Sequence, residues 1–461
     1  MSLPQQPKRA TLGVVWLTLF LDLVGFSIIF PLFPAILDFY LPVDVENGGL
    51  LSVLVDSLRR IAPASYPATP FIITVLFGGI LGSLYAFLQF LAAPFWGRLS
   101  DRIGRRPVLL LTVCGTAVSY LVWAFSGSST LLIASRLLGG LMAGNLSVAT
   151  AAMADLTSRK DRAKGMALIG VAFGLGFITG PAIGGLAAQF NVLDYYPQGA
   201  EWGLNPFSVP AFAALLMAFL NLLWVRTSFR ETLTDDARGR CSGTDENSPR
   251  RPRALFSALF RMPTSSIPRA LWINFVFVLA FSGMEFTLTF LAVERLSFTP
   301  TQNGFLFVFI GLCLILVQGI VVRRLAPLVG EKRLVIVGAL FAVIAFIGTA
   351  YADSLLSFLG SQALFATGIG LFNPSLTALV SLYASERTQG HDLGLFRSVG
   401  SLARACGPLF AAMLYFSYNS RSYCLIGALI MVAPLILAFR LTSPYSSKEQ
   451  QQGNGVRCAS K

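Results

Sequence analysis

The sequence predicts an all-α polytopic membrane protein with twelve transmembrane helices in two parallel-repeat halves of six. Three observations carry that prediction. The 461 residues are 55% hydrophobic and only 12% charged, with a mean hydropathy of +0.69, and a soluble domain carries roughly 25% charge. The apolar residues come in runs of about 20 or more, the length that crosses a bilayer core as helix. Features of the first half also recur in the second at a nearly constant offset.

Taken in chain order, the runs place six spans at about 11–36, 73–96, 107–126, 131–154, 164–190 and 206–225. Six more follow at about 270–293, 304–322, 334–352, 355–383, 393–417 and 423–440. The first run reads as a retained helix and not as a signal peptide. Only Lys8 and Arg9 precede it, it contains Asp22, and no small-residue cleavage site follows. After it, residues 38–72 put Leu50, Leu51, Leu54, Val55, Leu58 and Ile61 on one helical face, opposite Asp56, Ser57, Arg59 and Arg60. That pattern predicts a short helix lying on the outer membrane surface, a lid being the other reading.

The polar breaks fix an orientation. Those after even-numbered spans hold Arg105 with Arg106, Arg159 with Lys160 and Arg323 with Arg324, whereas those after odd-numbered spans are short or acidic. Of the 35 Lys and Arg, about 28 fall on the side of the termini and about 4 (Arg59, Arg60, Arg295, Arg421) on the other. The positive-inside rule then predicts cytoplasmic termini. The net charge of +13 resolves into about +16 in the cytoplasm, about −4 outside and about +1 in the membrane. The basic excess is therefore topological and requires no nucleic-acid partner.

Residues 227–269, with Arg250, Arg251, Pro252 and Arg253 among Ser, Gly and acids, have the composition of a disordered linker. They divide an N-terminal half (1–226) from a C-terminal half (270–440), and residues 441–461 form a cytoplasmic tail. Three matches mark a repeat: Gly180-Pro181 with Gly407-Pro408, Asn145-Leu-Ser147 with Asn373-Pro-Ser375, and Arg98-Leu99 and Gly104 with Arg324-Leu325 and Gly330. Parallel repeats with a midplane site describe rocking secondary transporters. Cys114, Cys241, Cys313, Cys406, Cys424 and Cys458 are scattered, and His391 is the single histidine, so neither a disulfide framework nor a metal site is expected.

Between spans 2 and 3 stands Gly97-Arg98-Leu99-Ser100-Asp101-Arg102-Ile103-Gly104-Arg105-Arg106-Pro107. Gly97 suits close helix approach, Asp101 can pair with arginine, and Gly104 permits a tight turn. The stretch resembles the signature of the major facilitator superfamily along its full length. The resemblance implies a cytoplasmic latch of charge pairs, with Asp155 as a partner for Arg102 or Arg105. The second-half loop from Arg323 to Gly330 has Pro327 where that aspartate would stand, so its latch role is not expected.

Asp22 lies about 11 residues, roughly 16 Å, from the cytoplasmic start of span 1, which is near the midplane. It heads Leu21-Asp22-Leu-Val-Gly25-Phe-Ser-Ile-Ile-Phe-Pro31-Leu-Phe-Pro34, similar to the first helix of twelve-span drug:proton antiporters. Burial favours the neutral acid there and a nearby cation favours the carboxylate, so Arg136 or substrate can tip its protonation. Arg136, with Gly139, Gly140 and Gly144, resembles the family's span 4 pattern, and an arginine in hydrocarbon is expected to face inward. Asp22 is thus either the proton-coupling group, with Arg136 as charge partner, or one member of a structural pair. Glu285 in span 7 is a substrate or proton contact or an interhelical hydrogen bond.

Span 5 carries Gly176-Phe-Ile-Thr-Gly180-Pro181-Ala-Ile-Gly184-Gly185, which fits the family's antiporter motif. Glycines four apart allow close packing, and Pro181 removes a backbone donor. In span 11, Arg397 near the cytoplasmic end suits snorkelling or a latch contact, while Arg404 lies deeper and adds to a cationic site. Gln89, Asn145, Gln318, Gln362 and Asn373 are further polar candidates for the cavity or for helix-to-helix hydrogen bonds.

More narrowly, Gly283-Met-Glu285-Phe-Thr, Ala172-Phe-Gly174 and Arg397-Ser-Val-Gly-Ser-Leu-Ala-Arg404 resemble the eukaryotic tetracycline-transporter-like proteins. The expected activity is secondary transport of small organic ions or drugs, with organic anions among them, by proton-coupled antiport and alternating access. The expected partners are that substrate, protons and the lipid bilayer, with no cofactor beyond a proton gradient. A uniporter on the same scaffold and a non-transporting receptor are the alternatives. No Ser/His/Asp set, metal cluster or phosphate loop points to an enzyme.

Overall fold

The computed structural model describes residues 8–46, 70–157, 162–232, 266–384 and 389–442. Twelve helices among them are long and apolar enough to cross a membrane. In order these spans are Leu12–Tyr40, Thr74–Ile103, Arg105–Ala124, Ser129–Leu156, Leu168–Tyr195, Ser208–Ser228, Ser266–Leu296, Pro300–Val329, Glu331–Ala350, Leu355–Tyr383, Asp392–Ser417 and Ser420–Phe439. No strand occurs among the described residues. The surface helix expected near Leu50 to Ile61 lies outside the described residues, as do most of the central loop, the end of the tail, Arg159, Lys160, Cys241 and Cys458.

Several spans outrun the apolar windows that predict them. The helix of span 2 runs from Pro70 to Ile103, through the polar stretch Arg98 to Arg102, because nothing there breaks it before Gly104. Gly104 has φ +109° and begins span 3, and Gly330 has φ +80° and begins span 9. These backbone angles favour glycine. The two glycines that the repeat pairs by sequence therefore do the same work in the backbone.

Two spans are interrupted along their length. Span 1 changes from helix Lys8–Ser27 through a single turn at Phe30–Leu32 to helix Phe33–Glu46, at the positions of Pro31 and Pro34. Span 4 is helical over Ser129–Met142 and again over Asn145–Leu156. Between them Gly144 accepts the Trp96 ring so closely that a Cβ would lie 2.0 Å from it, and Trp96 Nε1 donates to the Leu141 carbonyl at 2.7 Å. The interruption makes Asn145 the first residue of the second segment.

The described residues pack into two compact units. One draws on Met1–Asn247, Glu285–Gly311 and Pro408–Tyr418, the other on Ser248–Met284, Leu312–Gly407 and Asn419–Lys461. In the first unit, Val15, Leu19, Leu23, Leu109, Val148, Ala152, Met153 and Ile169 form a buried apolar core from spans 1, 3, 4 and 5. In the same unit Ser83 Oγ accepts from the Leu409 amide at 2.8 Å and Thr301 Oγ1 donates to the Gly185 carbonyl at 2.8 Å. The ends of spans 7, 8 and 11 opposite the central loop thus pack with spans 2 and 5. In the second unit, Gly338 and Gly368 bring spans 9 and 10 into backbone contact, and Asn274 Nδ2 donates to the Phe396 carbonyl at 3.1 Å.

Candidate functional site

Span 1 carries Asp22 in its unbroken first segment, three residues before Gly25. Asn145 donates from its side-chain nitrogen to an Asp22 carboxylate oxygen. Its own carbonyl oxygen accepts from the Leu146 amide at 2.8 Å, which fixes the amide orientation. Asn145 is buried and Asp22 half-buried. Around them, the Tyr120 hydroxyl lies against Gly25, where a Cβ would meet it at 3.1 Å, and the Tyr85 ring lies equally close to Gly139. Phe26 has its ring centroid 5.0 Å from Tyr85 and 6.1 Å from Phe177. The carboxyl group therefore sits in a wall of aromatic rings with one amide donor.

Arg136 is 5% exposed and does not pair with Asp22. Its guanidinium carbon stands 4.8 Å from the centroid of the Trp123 ring, and its Nε reaches Ser135 Oγ at 3.4 Å. Its Nη2 is buried with no hydrogen-bond partner among the described residues. The ion pair expected between span 1 and span 4 is replaced by two separate arrangements, Asp22 with Asn145 and Arg136 with Trp123. The break after Met142 explains part of this, because it lets Asn145 rather than Arg136 present its head group to span 1. Gln89, half-buried on span 2, donates to the Ala143 carbonyl at this break at 3.4 Å.

At the other end of spans 2 to 4, Arg105 is the hub of the charged cluster. It is buried and binds Asp101 at 2.6 Å, Asp155 at 3.0 Å and Ser100 Oγ at 2.6 Å. Of the two partners foreseen for Asp155, Arg105 is the one used. Arg98 and Arg102 are exposed and make no ion pair among the described residues. Gly97 does not serve helix contact, since a Cβ there would meet nothing within 4 Å. Glu231 was missed by sequence reasoning. Its two carboxylate oxygens accept the Arg105 and Arg106 backbone amides at 2.9 and 3.0 Å, capping the start of span 3. The only signal for it was an acid just past span 6, placed to meet the partial positive charge of a helix start.

The glycines of span 5 have two faces. Added Cβ atoms on Gly176, Gly180 and Gly184 would meet Leu23, Ser27 and the Ile28 carbonyl of span 1 at 2.6, 2.0 and 2.1 Å. Ser27 Oγ also donates to the Gly176 carbonyl at 3.0 Å. Gly185 instead faces Gly304, with Pro181 directing its carbonyl toward Gly304 as well. The motif thus clamps span 1, and with it Asp22, from one side and receives the start of span 8 on another. In the second unit Gly407 repeats the first contact, meeting Ser282 of span 7 as Gly180 meets Ser27.

The remaining sequence-derived candidates are spread more widely. Glu285 is half-buried on span 7 in the first unit. In the second unit, Arg404 stands 5.3 Å over the Phe281 ring and Arg397 is exposed. Gln362 is fully buried and donates to Thr349 Oγ1 of span 9 at 3.1 Å, an interhelical bond. Asn373 is half-buried on span 10, and Gln318 is exposed in a widened turn of span 8, Val317–Val322. Trp123, Tyr85 and Tyr120 were not foreseen, because an aromatic residue in a span carries no sequence mark of which charge it will face.

Comparison with known proteins gives three kinds of match. The family model described as Major Facilitator Superfamily matches residues 15–357 and 294–457. Major facilitator superfamily domain-containing protein 10 of Bos taurus is 35% identical over 463 aligned positions, covering 95% of this chain and 94% of the relative. Tetracycline resistance protein class B of Escherichia coli is 31% identical and covers 80% of this chain and 84% of the relative. Among solved structures, that of the human organic anion transporter MFSD10 (TETRAN) aligns with a TM-score of 0.73 at 35% identity, covering 94% of this chain and 100% of the other.

Proposed function

The chain belongs to the major facilitator superfamily, and on that premise we propose that it exchanges protons for a small organic anion across a membrane by alternating access. The observation that carries this reading is the separation of Asp22 and Arg136 in the interior of one helical unit. A carboxylic group removed from water can take up and release a proton as its surroundings change. An inward-facing guanidinium with a donor to spare can receive an anionic group. Similarity to a human organic anion transporter and to tetracycline resistance proteins supports the substrate class.

In this reading Asp22 carries the proton and Asn145 holds its carboxyl group in place. Arg136 meets the substrate anion, and the half-buried rings of Phe26, Tyr85 and Phe177 meet its apolar body. The cluster of Arg105 with Asp101 and Asp155 acts as the latch at the end of the bundle where the basic connections lie, which the positive-inside rule assigns to the cytoplasm together with both termini.

Proteoliposomes test the reading with carboxyfluorescein and tetracycline as probes. An imposed pH gradient is expected to drive accumulation of at least one of them against its own gradient. Flux indifferent to the pH gradient would make the protein a uniporter on the same scaffold.

A further inference from the structure

Arg136 stands in an energetically demanding place. A guanidinium withdrawn from water and left without a carboxylate costs several kcal/mol unless something else compensates it. Here the compensation comes from Trp123, whose indole is the aromatic face that attracts a cation most strongly. Trp123 itself is fully buried and its Nε1 has no hydrogen-bond partner among the described residues. The surroundings of Arg136 and Asp22 are joined through Tyr85, whose ring lies against Gly139, three residues from Arg136, and has its centroid 5.0 Å from that of Phe26, four residues from Asp22.

We propose that Trp123 is a positioning residue that holds the Arg136 guanidinium apart from Asp22, with Asn145 as its counterpart on the carboxylate. The separation leaves the cation without a carboxylate, so that an anionic group can take that place, and leaves the carboxyl group to the proton. Were the two charges paired, each would mask the other from its ligand. The titratable groups that face both Asp22 and Arg136 are Tyr85 from span 2 and Tyr120 from span 3. Span 5 turns Gly176 and Gly180 toward span 1, and span 6 turns Asn221, whose Nδ2 donates to the Thr18 carbonyl at 3.2 Å. The functional meaning of the separation rests on the proton-for-anion reading above, but the separation itself can be tested without any ligand.

The test is a cycle of melting temperatures on the purified full chain, using Trp123→Leu, Asp22→Leu and the double variant. In Trp123→Leu alone the guanidinium can fall back on Asp22. In the double variant it has neither partner. The double variant is expected to melt lower than the sum of the single effects by roughly 3 °C or more. Trp123→Phe, which keeps a weaker aromatic face, should show less than half of that coupling, and it serves if Trp123→Leu does not fold. The coupling should vanish when both changes are made in an Arg136→Met background, which packing between Trp123 and its neighbours would not predict. Additive effects, or coupling that survives Arg136→Met, would overturn the proposal. Failure of the pH-driven exchange in vesicles would instead sink the exchanger reading and leave the measured coupling of Trp123 with Asp22 untouched.

Discussion

Asp22 and Arg105 show what one residue can do in a bundle of apolar helices. Asp22 places a carboxyl group within a membrane span, and Asn145 is its single side-chain donor among the described residues. Asp22→Asn is nearly isosteric and cannot ionise, so it is expected to abolish pH-driven accumulation of the probe anion while leaving exchange down a substrate gradient measurable. Vesicle uptake with and without a pH gradient checks this. Arg105 links Asp101, Asp155 and Ser100, and both carboxylates keep some exposure, 31% and 26% for their side chains. Arg105→Ala is therefore expected to lower unfolding stability by about 2 kcal/mol, below the roughly 3 to 5 kcal/mol of a fully buried pair. Arg105→Lys should recover only part of this, because an ammonium cannot reproduce the guanidinium fork. Chemical or thermal unfolding of the purified variants gives the comparison.

At the scale of the element, close approach and capping decide which small residues matter. Gly184→Ala would press a Cβ to 2.1 Å from the Ile28 backbone carbonyl, and a backbone cannot yield as a flexible side chain can. A cost of about 3 kcal/mol is expected, with loss of transport as span 1 shifts. Gly170→Ala in the same helix meets nothing within 4 Å and should be neutral or slightly stabilising, which makes it the control in the same melting series. Gly104, at φ +109°, and Glu231, on the two amides that begin span 3, form one device for turning the chain between spans 2 and 3. Glu231→Gln keeps one acceptor but opposes an NH2 to the second amide, so a loss of about 1 kcal/mol is expected in the same assay.

For the whole molecule, the division into two compact units does not follow the central loop alone. The first unit includes Glu285–Gly311 and Pro408–Tyr418, from spans 7, 8 and 11. Close contacts such as Gly185 with Gly304 and Gly79 with Ala412 hold those segments. A fragment ending at Thr232 would therefore expose glycine faces that the full chain covers. Expressed alone it is expected to be degraded or to aggregate, whereas the same fragment co-expressed with residues 266–461 should be recovered as a complex. Affinity capture of one fragment through a tag on the other reads the outcome.

The class of the protein and its twelve spans were legible in the sequence, because hydrocarbon demands long apolar helices and leaves a record in composition. Gly104 was legible as a turn and Gly330 as its repeat match, Asp22 and Arg136 stood out because intramembrane charge is rare, and Asp155 was named as a latch partner by the family resemblance. Their partners were not. Whether Arg136 meets Asp22 or Trp123, whether Asp155 meets Arg102 or Arg105, and that Glu231 caps span 3 depend on the break after Met142 and on the rotation of each helix about its axis. Those are fixed by packing between segments far apart in the chain, as with Trp96 on Gly144 and Ser27 on Gly180, or Asn221 on Thr18, 203 residues apart. Sequence records what each helix must bury, and tertiary structure decides which buried group each charge is given to face.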